Sequence, residues 1–167
     1  MRFVFLIGLV VMAVLTRFLP VPPNFSPIIA LALFSGVYFA NKKFAFAVPM
    51  AAMLISDIFL GFHYDMFAVY ASFALMVLLG TTLKKATVAN VALSSIGGAV
   101  LFFVVTNFSV WITSGMYAHS FSGLMLCYEA AVPFFRNTVA SALLYSAVMF
   151  GAYELSAKYL PALATTK

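Results

Sequence analysis

Apolar residues run along this chain in long blocks separated by short polar punctuation. The first block, Phe3 to Leu19, ends in Pro20-Val21-Pro22-Pro23, whose fixed φ angles and missing N–H groups favour a stiff extended loop. Ser26-Pro27 reads as an N-cap followed by proline at the first helical position, opening a short second helix to about Ala40. Asn41-Lys42-Lys43 stops it. A third block runs from Phe44 to Phe62, marked by Pro49 and Asp57, and Phe62-His63-Tyr64-Asp65 makes a polar turn. A fourth runs from Met66 to Leu83 and ends at Lys84-Lys85; a fifth runs from about Val88 to Trp111. The stretch Thr113 to Val132 is mixed, with a short interfacial helix expected around Gly123 to Ala131, and Pro133 opens a last span to about Lys158.

Six such blocks predict an all-α membrane protein with six transmembrane helices, since about 20 apolar residues cross ~30 Å of hydrocarbon. Composition agrees: 65% of the 167 residues are hydrophobic and 8% charged, against roughly 25% charged in soluble domains. Six spans nearly exhaust the chain, so residues 1–167 read as a single domain, and any energy source is expected on another polypeptide. Arg2 followed by Phe3 to Leu15 looks like the start of a signal peptide, but Thr16-Arg17-Phe18-Leu19-Pro20 offers no small-residue cleavage site, and the segment reads as a retained span.

Charge then orients the spans. With six crossings, Arg2, Lys42, Lys43, Lys84, Lys85, Lys158 and Lys167 fall on one side and only Arg17 and Arg136 on the other. That positive-inside bias predicts cytoplasmic termini. The net charge of +5 comes from scattered basic residues and makes no basic stripe, so nucleic acid is set aside as a partner. The lipid bilayer is the expected surroundings.

The same orientation gathers polar residues at the outer ends of the helices. Asp57 is the sharpest, because a carboxylate inside a span costs roughly 2 to 3 kcal/mol on insertion scales. It calls for a cationic partner, Arg17 or Arg136, or for a ligand. Arg17 could equally snorkel to the headgroups. The proline in Glu129-Ala130-Ala131-Val132-Pro133-Phe134-Phe135-Arg136-Asn137 suggests a discontinuous helix, whose second half would offer free N–H groups to an anion, with Arg136 and Asn137 in its first turn. Glu129 would balance Arg136 across the break or stand as an exposed loop acid. Asn107 and Trp111 are four apart and share a helix face, with Trp111 read as an interfacial belt residue or a pocket wall. His63 with Asp65, and His119 with Cys127, supply metal-ligand atoms at poor spacing, so no metal site or other cofactor is expected. No catalytic constellation is present, and the chain does not read as an enzyme. Small residues at four-residue spacing, as in Ala32/Gly36 and Ser95/Ala99 with Gly97-Gly98, suit close helix approach.

Arg17-Phe-Leu-Pro-Val-Pro-Pro-Asn24-Phe-Ser-Pro27, Ala32-Leu-Phe-Ser-Gly36, Ser56-Asp57 with Gly61-Phe-His63, Thr106-Asn107-Phe-Ser-Val-Trp111, Cys127-Tyr128 and Pro133-Phe-Phe-Arg136-Asn137-Thr138 together resemble a small bacterial integral-membrane family of unknown function to which a transport role is attributed. That family in turn resembles the S-components of energy-coupling-factor (ECF) transporters. The resemblance implies an ECF S-component-like bundle in the bacterial inner membrane that captures a small micronutrient, such as a vitamin, from the extracytoplasmic side. It also implies a transmembrane coupling subunit with two ATPases as partners. The first helix lacks the Ala-x-x-x-Ala docking pattern of many S-components, and the Met1-Arg2 start differs from the Met-His start of nickel and cobalt members. The substrate-binding residues expected on this reading are Arg17, Asn24, Asp57, His63, Asn107, Trp111, Tyr128, Glu129, Arg136 and Asn137, under loops at 18 to 26 and 113 to 132. The alternative is a membrane scaffold or assembly protein whose charge cluster is structural.

Overall fold

A computed structural model describes residues 2–62 and 64–159, all of them in helices or connecting turns with no strand among them. His63 and Lys167 lie outside the described residues. Six α-helices follow one another: α1 (Arg2–Leu15, continued by a 3-10 turn at Thr16–Phe18), α2 (Ile28–Tyr38), α3 (Lys42–Leu60), α4 (Met66–Thr82), α5 (Val88–Thr113) and α6 (Phe121–Tyr159). Three of them, α3, α5 and α6, are long and apolar enough to cross a membrane; α1, α2 and α4 are apolar and shorter.

The helix starts are set by local chemistry. The Asn41 side chain accepts the Lys43 N–H at 2.9 Å and the Thr87 hydroxyl accepts the Asn90 N–H at 3.2 Å, each satisfying a donor the first turn leaves open. Asn41 therefore begins α3 rather than merely ending α2, and the two lysines fall inside the helix. At α2 the expected serine cap is not made: Pro27 is the capping residue and the Ser26 hydroxyl has no hydrogen-bond partner. At the far end of α3, Gly61 has φ 98°, a conformation open to glycine at little cost, and its N–H closes on the Asp57 carbonyl at 2.8 Å.

Pro133 does not break the last helix. α6 is continuous for 39 residues, about 58 Å at the standard rise, so neither a separate interfacial helix over 123–131 nor a set of free N–H groups after Pro133 exists. A proline removes one backbone bond and crowds one carbonyl, a local loss that the packing of this helix overcomes. Along α5, Tyr128 donates to the Val104 carbonyl at 2.7 Å, Phe135 packs on Phe103, and Ser95 bonds Ser146 at 2.8 Å. Pro49 likewise sits buried within a continuous α3.

α2 is the centre of the molecule. Ten of its eleven residues are buried, and it packs on α3, α4 and α6. Its contact with α4 is close because Gly36 and Gly80 face each other: a Cβ on Gly36 would overlap the Val77 carbonyl oxygen, and one on Gly80 the Leu33 carbonyl oxygen. At one end of the bundle Phe3 meets Phe39 and Phe44 edge to face and Tyr38 donates to Glu154. Lys42, Lys43, Lys84, Lys85 and Lys158 all belong to the helix ends on this side. The opposite end collects the end of α1, the starts of α2, α4 and α6, and the ends of α3 and α5.

Candidate functional site

Two neighbouring polar features occupy the lysine-free end. The first is a buried ion pair. Asp57 is 1% exposed, and each of its carboxylate oxygens has a partner: Oδ1 lies 3.0 Å from Arg17 Nη1, and Oδ2 accepts the Tyr70 hydroxyl at 2.8 Å. The same Arg17 nitrogen donates to Ser56 Oγ and contacts Met53 Sδ at 3.1 Å. The Ser56 hydroxyl in turn donates to the Met53 carbonyl at 2.8 Å. The pair thus ties the 3-10 end of α1 to α3 and, through Tyr70, to α4. Satisfying both oxygens is what makes a carboxylate tolerable at this burial. Of the two cations the sequence offers, Asp57 takes Arg17.

The second feature is a cavity of about 430 Å³ beside that pair, lined by the loop before α2, the end of α3, the start of α4, the outer half of α5 and Thr138 of α6. Arg17, Asn24, Ser26, Asp65, Thr106 and Asn107 supply its polar wall, and Phe25 and Phe102 are among its apolar surfaces. Asp57 itself does not line it. The loop is held in shape from both sides: Asn24 adopts φ 61°, Phe25 N–H bonds the Pro22 carbonyl at 3.0 Å, and Asn137 Nδ2 of α6 donates to the Pro23 carbonyl at 3.0 Å. Asparagine is among the few residues that take a left-handed backbone readily. Among the described residues no three of His, Cys, Asp and Glu come together as a metal would require.

The expected binding residues divide accordingly. Arg17, Asn24 and Asn107 line the cavity, Asp57 braces Arg17, and Asn137 pins the loop. Trp111 points away from it, donating to the Ala118 carbonyl at 2.9 Å and meeting His119 edge to face, so its role is to fold the α5–α6 turn. Tyr128 is engaged with the Val104 carbonyl and does not line the cavity. Glu129 and Arg136 are exposed and make no ion pair among the described residues, because the unbroken helix sets them on its outside. His63 lies outside the described residues. Asp65, read from sequence only as a poor metal ligand, is a cavity acid. Ser26 reads from sequence only as a helix cap, and Thr106 gives no signal, since a lone hydroxyl in an apolar run is usually satisfied by its own helix. Outside the helices, desolvation and then the negative charge of Asp65 push the Tyr64 phenol above its ordinary value.

These features define an all-helical, predominantly apolar protein with a small polar cavity at one end and its lysines at the other. The chain belongs to DUF6580, a family of unknown function that matches residues 1–163. No curated protein and no solved structure matches it.

Proposed function

We propose that this protein is a substrate-binding membrane subunit that captures a small solute, a micronutrient such as a vitamin, from the extracytoplasmic side of a bacterial inner membrane. The observation that carries the reading is the cavity at the lysine-free end, walled by Arg17, Asn24, Asp65, Thr106 and Asn107. Its volume of about 430 Å³ falls in the range of ligand sites, roughly 300 to 1,000 Å³. Polar side chains at membrane depth are tolerated where they line such a cavity. Large apolar residues on the outside of the bundle, among them Phe59, Phe67, Val88 and Phe121 at 75 to 89% exposed, suit contact with lipid. The five described lysines at the other end support cytoplasmic placement of that end and of both termini, with all six helices crossing. Uptake on this reading is driven by a separate transmembrane coupling subunit with two ATPases, by analogy with ECF transporters.

Native mass spectrometry of the gently extracted protein tests this. The expected result is a bound small molecule at stoichiometric abundance that is absent from Thr106→Trp, in which the new ring fills the cavity. A protein that carries no small molecule, or one that Thr106→Trp retains, overturns the binding role. A second reading, a membrane scaffold or assembly protein, draws on the complete internal pairing of Asp57. It predicts that loss of the ion pair alters assembly while no ligand is ever found.

A further inference from the structure

We propose, resting on the binding role above, that the cavity selects a small organic cation: a protonated amine carried on a flat apolar body. The charges on its wall lead there. Arg17 supplies the positive charge, but Asp57 stands 3.0 Å from its Nη1, so the two together are neutral. Asp65 lines the same cavity, and among the described residues no cation pairs with it. Its Oδ1 has two long hydrogen bonds, from Ser109 Oγ at 3.3 Å and Thr113 Oγ1 at 3.4 Å. The second is weaker than its distance suggests, because the single Thr113 hydroxyl proton is already aimed at the Ser109 carbonyl at 2.8 Å. Among the described residues the charged groups of this wall and their ion-pair partner therefore sum to one negative charge, which attracts an opposite charge on a ligand.

The neutral groups point the same way. Asn107 Nδ2 gives one of its two protons to the Phe103 carbonyl at 2.8 Å, and its Oδ1 stands as an acceptor. Ser26 is among the lining residues, and its Oγ is buried without a hydrogen-bond partner. Phe25 and Phe102 also line the cavity, and aromatic rings in a site suit a flat apolar body and attract a cation.

The test uses three compounds with one indole body and different charge: tryptamine as cation, tryptophan as zwitterion and indole-3-propionate as anion. Each is titrated by calorimetry into the intact, detergent-purified protein. Tryptamine is expected to bind about tenfold or more tighter than either of the others, in keeping with the strength of charge-assisted hydrogen bonds. Asp65→Asn should remove that preference and Asp65→Glu should keep it, the second variant guarding against a folding defect in the first. Tighter binding of the zwitterion or the anion, a preference that survives in Asp65→Asn, or no binding of tryptamine overturns the cation assignment. The binding role itself is judged separately, by the co-purified molecule and its loss in Thr106→Trp.

Discussion

Arg17 and Asp57 meet at 3.0 Å across the α1–α3 contact, the arginine side chain 14% exposed and the aspartate 2%. Removing one member leaves the other charge buried without its partner, which costs about 3 to 5 kcal/mol. Asp57→Asn and Arg17→Met should each lower the thermal unfolding midpoint in detergent sharply. The double variant Arg17→Met/Asp57→Leu should recover much of the loss, since two apolar side chains no longer face an unpaired charge. Singles that unfold with the wild type would show that the pair does not hold α1 to α3.

The Gly36–Gly80 contact makes a second prediction. Any side chain at Gly80 meets the Leu33 carbonyl, so α2 and α4 must separate. Gly80→Ala is expected to cost roughly 1 to 3 kcal/mol as overpacking does. Gly97→Ala is the control, because a Cβ there has open space; in the middle of α5 it should be neutral or slightly stabilising. Comparable unfolding midpoints for the two variants would refute the close approach.

Asn137 acts on the cavity at a distance, through the Pro23 carbonyl it holds at 3.0 Å. Asn137→Ala should weaken the loop by about 1 kcal/mol, the worth of one such bond. The readout is hydrogen exchange: the amides of Asn24, Phe25 and Ser26 should exchange faster while those of α2 are unchanged. Uniform acceleration through α2 would indicate a general loss of stability instead.

Glu129 and Arg136 are both exposed and unpaired among the described residues. Glu129→Gln and Arg136→Gln are therefore expected to shift stability by no more than about 0.5 kcal/mol and to leave the tryptamine titration unchanged. A tenfold weaker titration in Arg136→Gln would place that arginine in the ligand's path.

Much of this architecture was already written in the chain. Long apolar blocks dictate helices, the Lys42-Lys43 and Lys84-Lys85 pairs mark ends on one side, and Gly36 announces a close contact. A carboxylate at Asp57 requires a cation or a ligand to compensate it wherever the helix goes. Those conclusions rest on local cost: solvation of a charge, length of an apolar run, size of a side chain. Tertiary structure alone decided the rest. That Asp57 takes Arg17 rather than Arg136, that Asp65 and not Asp57 faces the cavity, and that Trp111 turns toward Ala118 all depend on distances between helices, on which sequence spacing is silent. Pro133 shows the limit from the other side. A proline weakens one hydrogen bond wherever it stands, and whether the helix ends there is settled by packing against α5.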